Sequence, residues 1–402
     1  MNSINAPRNA AWPQSSLLLF GSCLSVLAAV LIAPLLPAIQ RDFADTPGAA
    51  VLVPLLISLP ALMVALMAPF AGIIADRVAR KPLLLASLAL YTLFGLMPLW
   101  LDSLYLIVAS RAGIGLAEAG IMTCCTTLIG DYYNGARRQR LLALQMVATS
   151  LSAVVIITLG GFLGADGWRT PFALYAVGLV LLPLAAWLLW EPRREKATGR
   201  VQTNAFPWKP LLPLYALTLL AGMSLLMVPA QAGYLLGLLG VEKPELIGMT
   251  MGANQLAVVA GALSFRVLVR YRLDWLLLMA FALTGTGALL MAMASAHPAV
   301  VVAVIVNGLG IGLMLPTLIT WIMAQVSASL RGRATGGFTS AMFAGQFLSP
   351  LAILAVTGGA LVALPKAIAV MGAVQLLVAL ICLVVPRLGG LAVRAEAPGH
   401  AH

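Results

Sequence analysis

The sequence predicts an all-α membrane protein of twelve transmembrane helices, arranged as two six-helix bundles related by pseudo-symmetry. Three observations carry that prediction. About twelve apolar stretches lie between Ser15 and Pro386, each near the ~20 residues needed to cross a bilayer. The short gaps between them alternate in charge: even-numbered gaps hold Lys and Arg, odd-numbered gaps almost none. The longest polar interruption, Glu191 to Pro210, falls after the sixth stretch and divides the chain evenly.

Taken in order, the predicted spans cover roughly 15–38, 50–74, 82–101, 104–130, 141–164, 171–190, 211–236, 246–265, 275–296, 299–325, 334–358 and 364–386. The first contains a run from Leu17 to Ile39 that is too long for a cleaved signal segment. It carries Pro34 and Pro37, and the second carries Pro54, Pro60 and Pro69, so kinks are expected in both. The third closes on Trp100, and the fourth holds two charges, Arg111 and Glu118. Gln145, Thr149 and Ser152 mark the fifth, and Trp190 closes the sixth. Pro229 and Gln231 lie in the seventh, Asn254 and Gln255 in the eighth. Trp275 opens the ninth, and the tenth and eleventh contain Asn307, Pro316, Gln346 and Pro350. Residues 1–190 form one bundle, 191–210 a cytoplasmic linker, 211–390 the second bundle, and 391–402 a tail expected to be disordered. The bundles echo each other: Gly113-Ile-Gly115-Leu in the fourth span resembles Gly310-Ile-Gly312-Leu in the tenth.

Composition excludes several classes. Hydrophobic residues make up 61% of the chain and charged ones 9%, with a mean hydropathy of +1.01, whereas a soluble domain has about 25% charged residues. The net charge of +11 is explained by its distribution. With the N-terminus in the cytoplasm, 19 Lys and Arg fall inside and four outside (Arg41, Arg169, Lys243, Lys366). That bias is the positive-inside pattern, with both termini cytoplasmic, and leaves no case for nucleic-acid binding. The four cysteines lie in apolar spans, and neither a disulfide framework nor a metal motif is visible. No Gly-Lys step occurs, so no phosphate-binding loop exists. Hydrolase and metalloprotease motifs are missing too. A non-enzymatic protein without cofactor or metal, working as a monomer in the lipid bilayer, is the expectation.

The loop Gly72-Ile-Ile-Ala-Asp76-Arg77-Val-Ala79-Arg80-Lys81 resembles the signature loop of the major facilitator superfamily, Gly-x-x-x-Asp-Arg-x-Gly-Arg-Lys. The resemblance implies that fold over nearly the whole chain, with transport by alternating access. One departure is Ala79, which strains the turn if the position is left-handed. Asp76 is suited to accept N–H groups at the start of another helix, for which family geometry implies the eleventh, near Ala334. Asp131 has Arg80 or Arg77 within reach. Gly72, Asp76, Arg77, Arg80, Lys81 and Asp131 together form the expected cytoplasmic gate. The fourth span, Arg111-Ala-Gly-Ile-Gly115-Leu-Ala-Glu118, resembles the fourth-helix motif of proton-coupled facilitators and, in adding Glu seven residues on, the spinster-like transporters. The fifth span keeps Gly160-Gly161 of the drug–proton antiporter motif but has Ile156-Ile157 where Gly-Pro stands. The eleventh, Ser340 to Pro350, resembles bacterial efflux facilitators.

Arg111 and Glu118 are the two charges placed deep in the bilayer, where each costs at least ~2.5–3.5 kcal/mol. Seven residues put them on one helical face about 10 Å apart. Glu118 is the expected proton carrier, with Arg111 tuning it or binding an anionic substrate. Gln145, Thr149, Met223, Met227, Gln231, Asn254, Gln255, Asn307, Met342, Phe343 and Gln346 are the candidate cavity residues. The function expected is proton-coupled export of small apolar or amphiphilic compounds across a bacterial inner membrane. The alternatives are uptake of an organic anion and movement of a lipid or lysolipid.

Overall fold

The computed structural model describes residues 12–77, 79–192, 206–327 and 330–389; the side chains of 71–77 and 383–389 stand outside the description. The predicted tail and most of the predicted linker lie outside the described residues as well. Among the described residues, twelve helices are long and apolar enough to cross a membrane. They are α1 (Trp12–Asp42), α2 (Ala49–Phe70), α3 (Arg80–Leu99), α4 (Leu104–Tyr132), α5 (Gly135–Asp166), α6 (Thr170–Leu188), α7 (Trp208–Leu238), α8 (Pro244–Leu268), α9 (Leu273–Met293), α10 (His297–Ala324), α11 (Arg331–Thr357) and α12 (Leu361–Cys382). The helix of α2 continues to Arg77 and that of α12 to Gly389.

Proline shapes these helices by removing ladder donors. In α1 the helix Trp12–Val30 gives way to a tight turn, Ala33–Leu35, and resumes as Leu36–Asp42. In α2, Pro60 and Pro69 sit inside continuous helix. Each deprives a carbonyl four residues earlier, at Leu56 and Ala65, of its usual N–H. A neighbouring helix supplies the missing donor in both cases. Arg111 Nε donates to the Leu56 carbonyl at 3.0 Å, and Ser340 Oγ of α11 to the Ala65 carbonyl at 2.9 Å. The departure at Ala79 costs nothing, because its φ of −62° and ψ of 130° are ordinary extended backbone.

The two halves repeat one packing scheme. In the first half α4 packs on α1, α2 and α3, α5 on α1, and α6 on α3. In the second, α10 packs on α7, α8 and α9, α11 on α7, and α12 on α9. The matched glycines occupy matched contacts. Gly115 lies against Pro60 of α2 and Gly312 against Val258 and Ala262 of α8, while Gly113 meets Phe94 of α3 and Gly310 meets Thr284 of α9. A side chain at any of them would push the helices apart, since no hydrophobic force between helices compensates in lipid.

The halves meet through α5·α8 and α2·α11. At the face away from the arginine-rich loops the joint is tight. Gly161 and Gly248 are so close that a Cβ on Gly248 would lie 2.9 Å from the Cα of Gly161. Beside them Gly233 of α7 packs on Pro37 of α1, and Arg41 Nη1 meets Glu242 Oε2 at 2.7 Å across the halves. Toward the arginine-rich face α4 shares no packed surface with α10 or α11, nor α5 with either, among the described residues. Phe20, on that side of α1, is 67% exposed. The halves therefore meet closely at the face away from the arginine-rich loops, and toward those loops α2 and α11 stay together, Ser340 bonding the Ala65 carbonyl and Gly336 lying beside Ala68 and Pro69. A Gly248→Leu variant is expected to pry the tight joint open. In a background without the native cysteines, Gln40→Cys is then expected to react with a maleimide several-fold faster.

Candidate functional site

Arg111 is wholly buried inside the first half and is engaged on every side. Besides Leu56 of α2, Nη2 donates to the Ala28 carbonyl of α1 at 2.6 Å and Nη1 to Tyr175 Oη of α6 at 2.9 Å. The Ala28 carbonyl is available because the α1 ladder breaks just beyond it, at Leu31–Leu35. The guanidinium also lies 5.7 Å from the centre of the Tyr175 ring. Only the planar fork of arginine reaches three acceptors on three helices at once. Arg111 does not face a space between the halves. Of its two expected roles, tuning Glu118 or binding an anionic substrate, these bonds favour the first.

Glu118 lies two turns along the same face of α4 and is 2% exposed. It interacts electrostatically with Arg111, Tyr91 and Tyr175 but makes no hydrogen bond or ion pair among the described residues. Its oxygens are not among the sealed, unpaired side-chain atoms of the described residues, which are Arg169 Nε, Asn307 Oδ1 and Gln375 Oε1. Tyr91 of α3 roofs this region, its hydroxyl donating to the Leu24 carbonyl at 2.7 Å and its ring 5.1 Å from that of Tyr175. The arrangement is a carboxyl without a fixed partner, held beside a fixed cation. Such a group is able to take up and give back a proton without a preformed bond being broken.

At the arginine-rich end of the first half a second polar cluster joins α3, α4 and α6. Arg80 pairs with Asp131. Glu191 accepts the backbone N–H groups of Arg80 and Lys81, both at 2.9 Å, so its carboxylate caps the start of α3. Lys81 Nζ donates to the Ala186 carbonyl, and the Tyr132 and Trp190 rings stack at 4.5 Å. All these contacts lie within one half. The side chains of Gly72, Asp76 and Arg77 are outside the described residues, so the expected contact of Asp76 with α11 is too. Glu191, read from sequence as part of a linker, is the site residue that reading missed. An acidic residue directly after a span and facing a helix start was its available signal. Glu191→Ala is expected to cost about 1 kcal/mol of stability, in keeping with the loss of a helix cap, read as a lowered melting temperature.

The candidate cavity residues separate into two groups. Gln145 donates to Ser22 Oγ at 2.7 Å and Thr126 Oγ1 at 3.1 Å, knitting α5 to α1 and α4. Asn254 bonds the Val304 carbonyl and Asn307 the Thr284 carbonyl, both inside the second half. Met227 is fully packed in the core. Thr149 turns back onto its own helix. The bonds of Gln145, Asn254 and Asn307 join helices within one half, the ordinary fate of polar side chains in lipid. By contrast, Gln231, Gln255 and Gln346 are buried without hydrogen-bond partners among the described residues. Gln231 lines a cavity of about 130 Å³ at the face away from the arginine-rich loops, between α2 and α11, together with Gln40, Tyr234 and Pro350. Met223, Met342 and Phe343 are partly buried on α7 and α11, whose backbones touch at Gly222 and Gly345. His297 opens α10, its Nε2 2.9 Å from Thr250 Oγ1.

Comparison with known proteins agrees with this architecture. The chain is 29% identical over 232 residues to the class C tetracycline resistance protein of Escherichia coli, covering 56% of this chain and 55% of that one. The alignment thus spans about half the length of that relative. It is 25% identical over 341 residues to the multidrug efflux protein YfmO of Bacillus subtilis, covering 82% and 83%. Its fold matches a crystal structure of a bacterial homolog of the human lysosomal transporter Spinster, inward-facing and occupied, with a TM-score of 0.74, 15% identity and coverage of 96% and 98%. The family description of the Major Facilitator Superfamily matches residues 18–350. This multi-pass membrane protein belongs to the Major Facilitator Superfamily, a family of transporters and not of enzymes.

Proposed function

We propose that this chain is a secondary transporter of the bacterial inner membrane, its arginine-rich face and both termini in the cytoplasm. It exports small apolar or amphiphilic compounds in exchange for protons. One observation carries the reading: Glu118, a buried carboxyl with no bonded partner among the described residues and a fixed guanidinium beside it, lies in a bundle that joins its twin through α2·α11 and α5·α8. In this scheme the face away from the arginine-rich loops opens toward the periplasm. Glu118 takes a proton there, and the proton leaves toward the cytoplasm after the halves rock back. A proton moving down ~150 mV is worth about 3.5 kcal/mol, which supports a few-hundred-fold gradient of a neutral solute.

The substrate class proposed here is supported by side chains on α7, α8 and α11. Gln231, Gln255 and Gln346 offer neutral hydrogen bonds, and Met223, Met342 and Phe343 a pliable apolar surface. An organic-anion carrier needs a cation presented to its cargo, and Arg111 presents none. The efflux relatives support export. The test is flux into proteoliposomes under an imposed pH gradient, with a panel of amphiphiles that includes tetracycline. Accumulation of at least one compound, abolished by a protonophore, is expected. Movement indifferent to the gradient, or no movement beyond that of protein-free liposomes, overturns the proposal.

A further inference from the structure

We propose that the groove between the starts of α1 and α5, at the arginine-rich face, binds the head group of an anionic phospholipid. The groove has a volume of about 380 Å³ and is lined by Trp12, Ser15, Arg137, Arg140, Leu141 and Leu144. Its chemistry divides by depth. At the rim stand two guanidiniums that make no ion pair among the described residues. Arg137 is steadied over the Tyr133 ring at 4.8 Å, a contact that leaves its N–H edge free for phosphate oxygens. The nearby acids are already engaged, Asp131 with Arg80 and Glu191 with the start of α3, so neither competes for the arginines. The first turn of α5 adds to the attraction, because Asn134 provides no side-chain cap to its N–H groups.

Beneath the rim the surface becomes apolar. Leu141 forms a buried floor, and Leu144, Val147, Leu151, Val155, Leu159 and Phe162 are exposed at helical spacing along α5. This lane starts one turn below Arg140 and runs toward the opposite face, the path an acyl chain takes. Trp12, two-thirds exposed beside the arginines, has the amphipathic ring favoured at head-group depth. A free phosphate ion makes no use of the lane, and a zwitterionic head group brings a cation to a rim that holds only cations. Basic pockets between spanning helices recognise anionic lipids in this manner. The bound lipid clamps α1 to α5 in the first half, independently of what the transporter carries.

Native mass spectrometry of the full chain in detergent, with equimolar dioleoylphosphatidylglycerol and dioleoylphosphatidylcholine, tests the site. Wild type is expected to retain the anionic phosphatidylglycerol in clear preference. Arg137→Gln with Arg140→Gln lowers that retention roughly 30-fold, each basic residue near a membrane surface being worth about fivefold. Arg331→Gln with Arg333→Gln removes equal charge at the start of α11 and leaves retention unchanged. Leu144→Glu, at an exposed position that tolerates a charge, also lowers retention and carries the test if the arginine variant does not fold. Equal retention of both lipids, wild-type retention in both the arginine and the Leu144 variants, or displacement by millimolar inorganic phosphate overturns the proposal.

Discussion

Arg111→Ala is expected to destabilise the first bundle by on the order of 2–5 kcal/mol. Each hydrogen bond to a charged group is worth roughly 1.5–3 kcal/mol, although bonds between membrane helices average nearer 0.6 because the unfolded chain also finds partners in lipid. Three acceptors lose their donor together: the carbonyls of Ala28 and Leu56 and the hydroxyl of Tyr175. None has a substitute. Pro60 has removed the N–H that otherwise serves Leu56, and the Ala28 carbonyl faces a break in its own helix. Arg111→Lys rescues little, since one ammonium cannot span three helices. Thermal unfolding of purified protein reads the effect. A wild-type melting temperature in Arg111→Ala contradicts the role assigned to this side chain.

Glu118→Gln is expected to abolish accumulation while sparing exchange. Glutamine keeps the size and polarity of the side chain but cannot release a proton. Under a pH gradient the accumulation ratio then falls from the few-hundred-fold that one proton at ~150 mV supports to equality. Exchange of labelled for unlabelled substrate at equal pH on both sides continues, because the halves still rock around an intact cavity. Glu118→Asp retains a carboxyl and recovers part of the accumulation. The split between the two assays separates a proton carrier from a structural residue, whose loss slows both. Accumulation at the wild-type level in Glu118→Gln sinks the assignment.

The spans were legible because their signal is length and hydropathy, which the bilayer enforces on the sequence directly. The reading of roughly 104–130 for the fourth span lies within two residues of the observed Leu104–Tyr132. The pseudo-repeat was legible too, through Gly115 and Gly312, because only a glycine lets α4 come so close to α2 and α10 so close to α8. The site was legible in residue type but not in partnership. A separation of seven places Arg111 and Glu118 on one face, yet what each touches depends on neighbours distant in sequence. The acceptors of Arg111 are mostly backbone, exposed by a proline on α2 and a break in α1, and a carbonyl carries no residue signature. The same blindness sent Gln145, Asn254 and Asn307 to the cavity, where the structure gives them partners inside their own halves. It also hid Glu191, whose role needs the start of α3 to stand beside the end of α6.

Proton movement caused by substrate is the measurement closest to the centre of this account. Liposomes holding the protein and a trapped pH indicator, with no gradient imposed, receive a transported compound on one side. Protons are expected to cross against the compound in wild type, in fixed proportion to it, and to stay still in Glu118→Gln. Substrate crossing in wild type with no accompanying change in internal pH contradicts the coupling through Glu118.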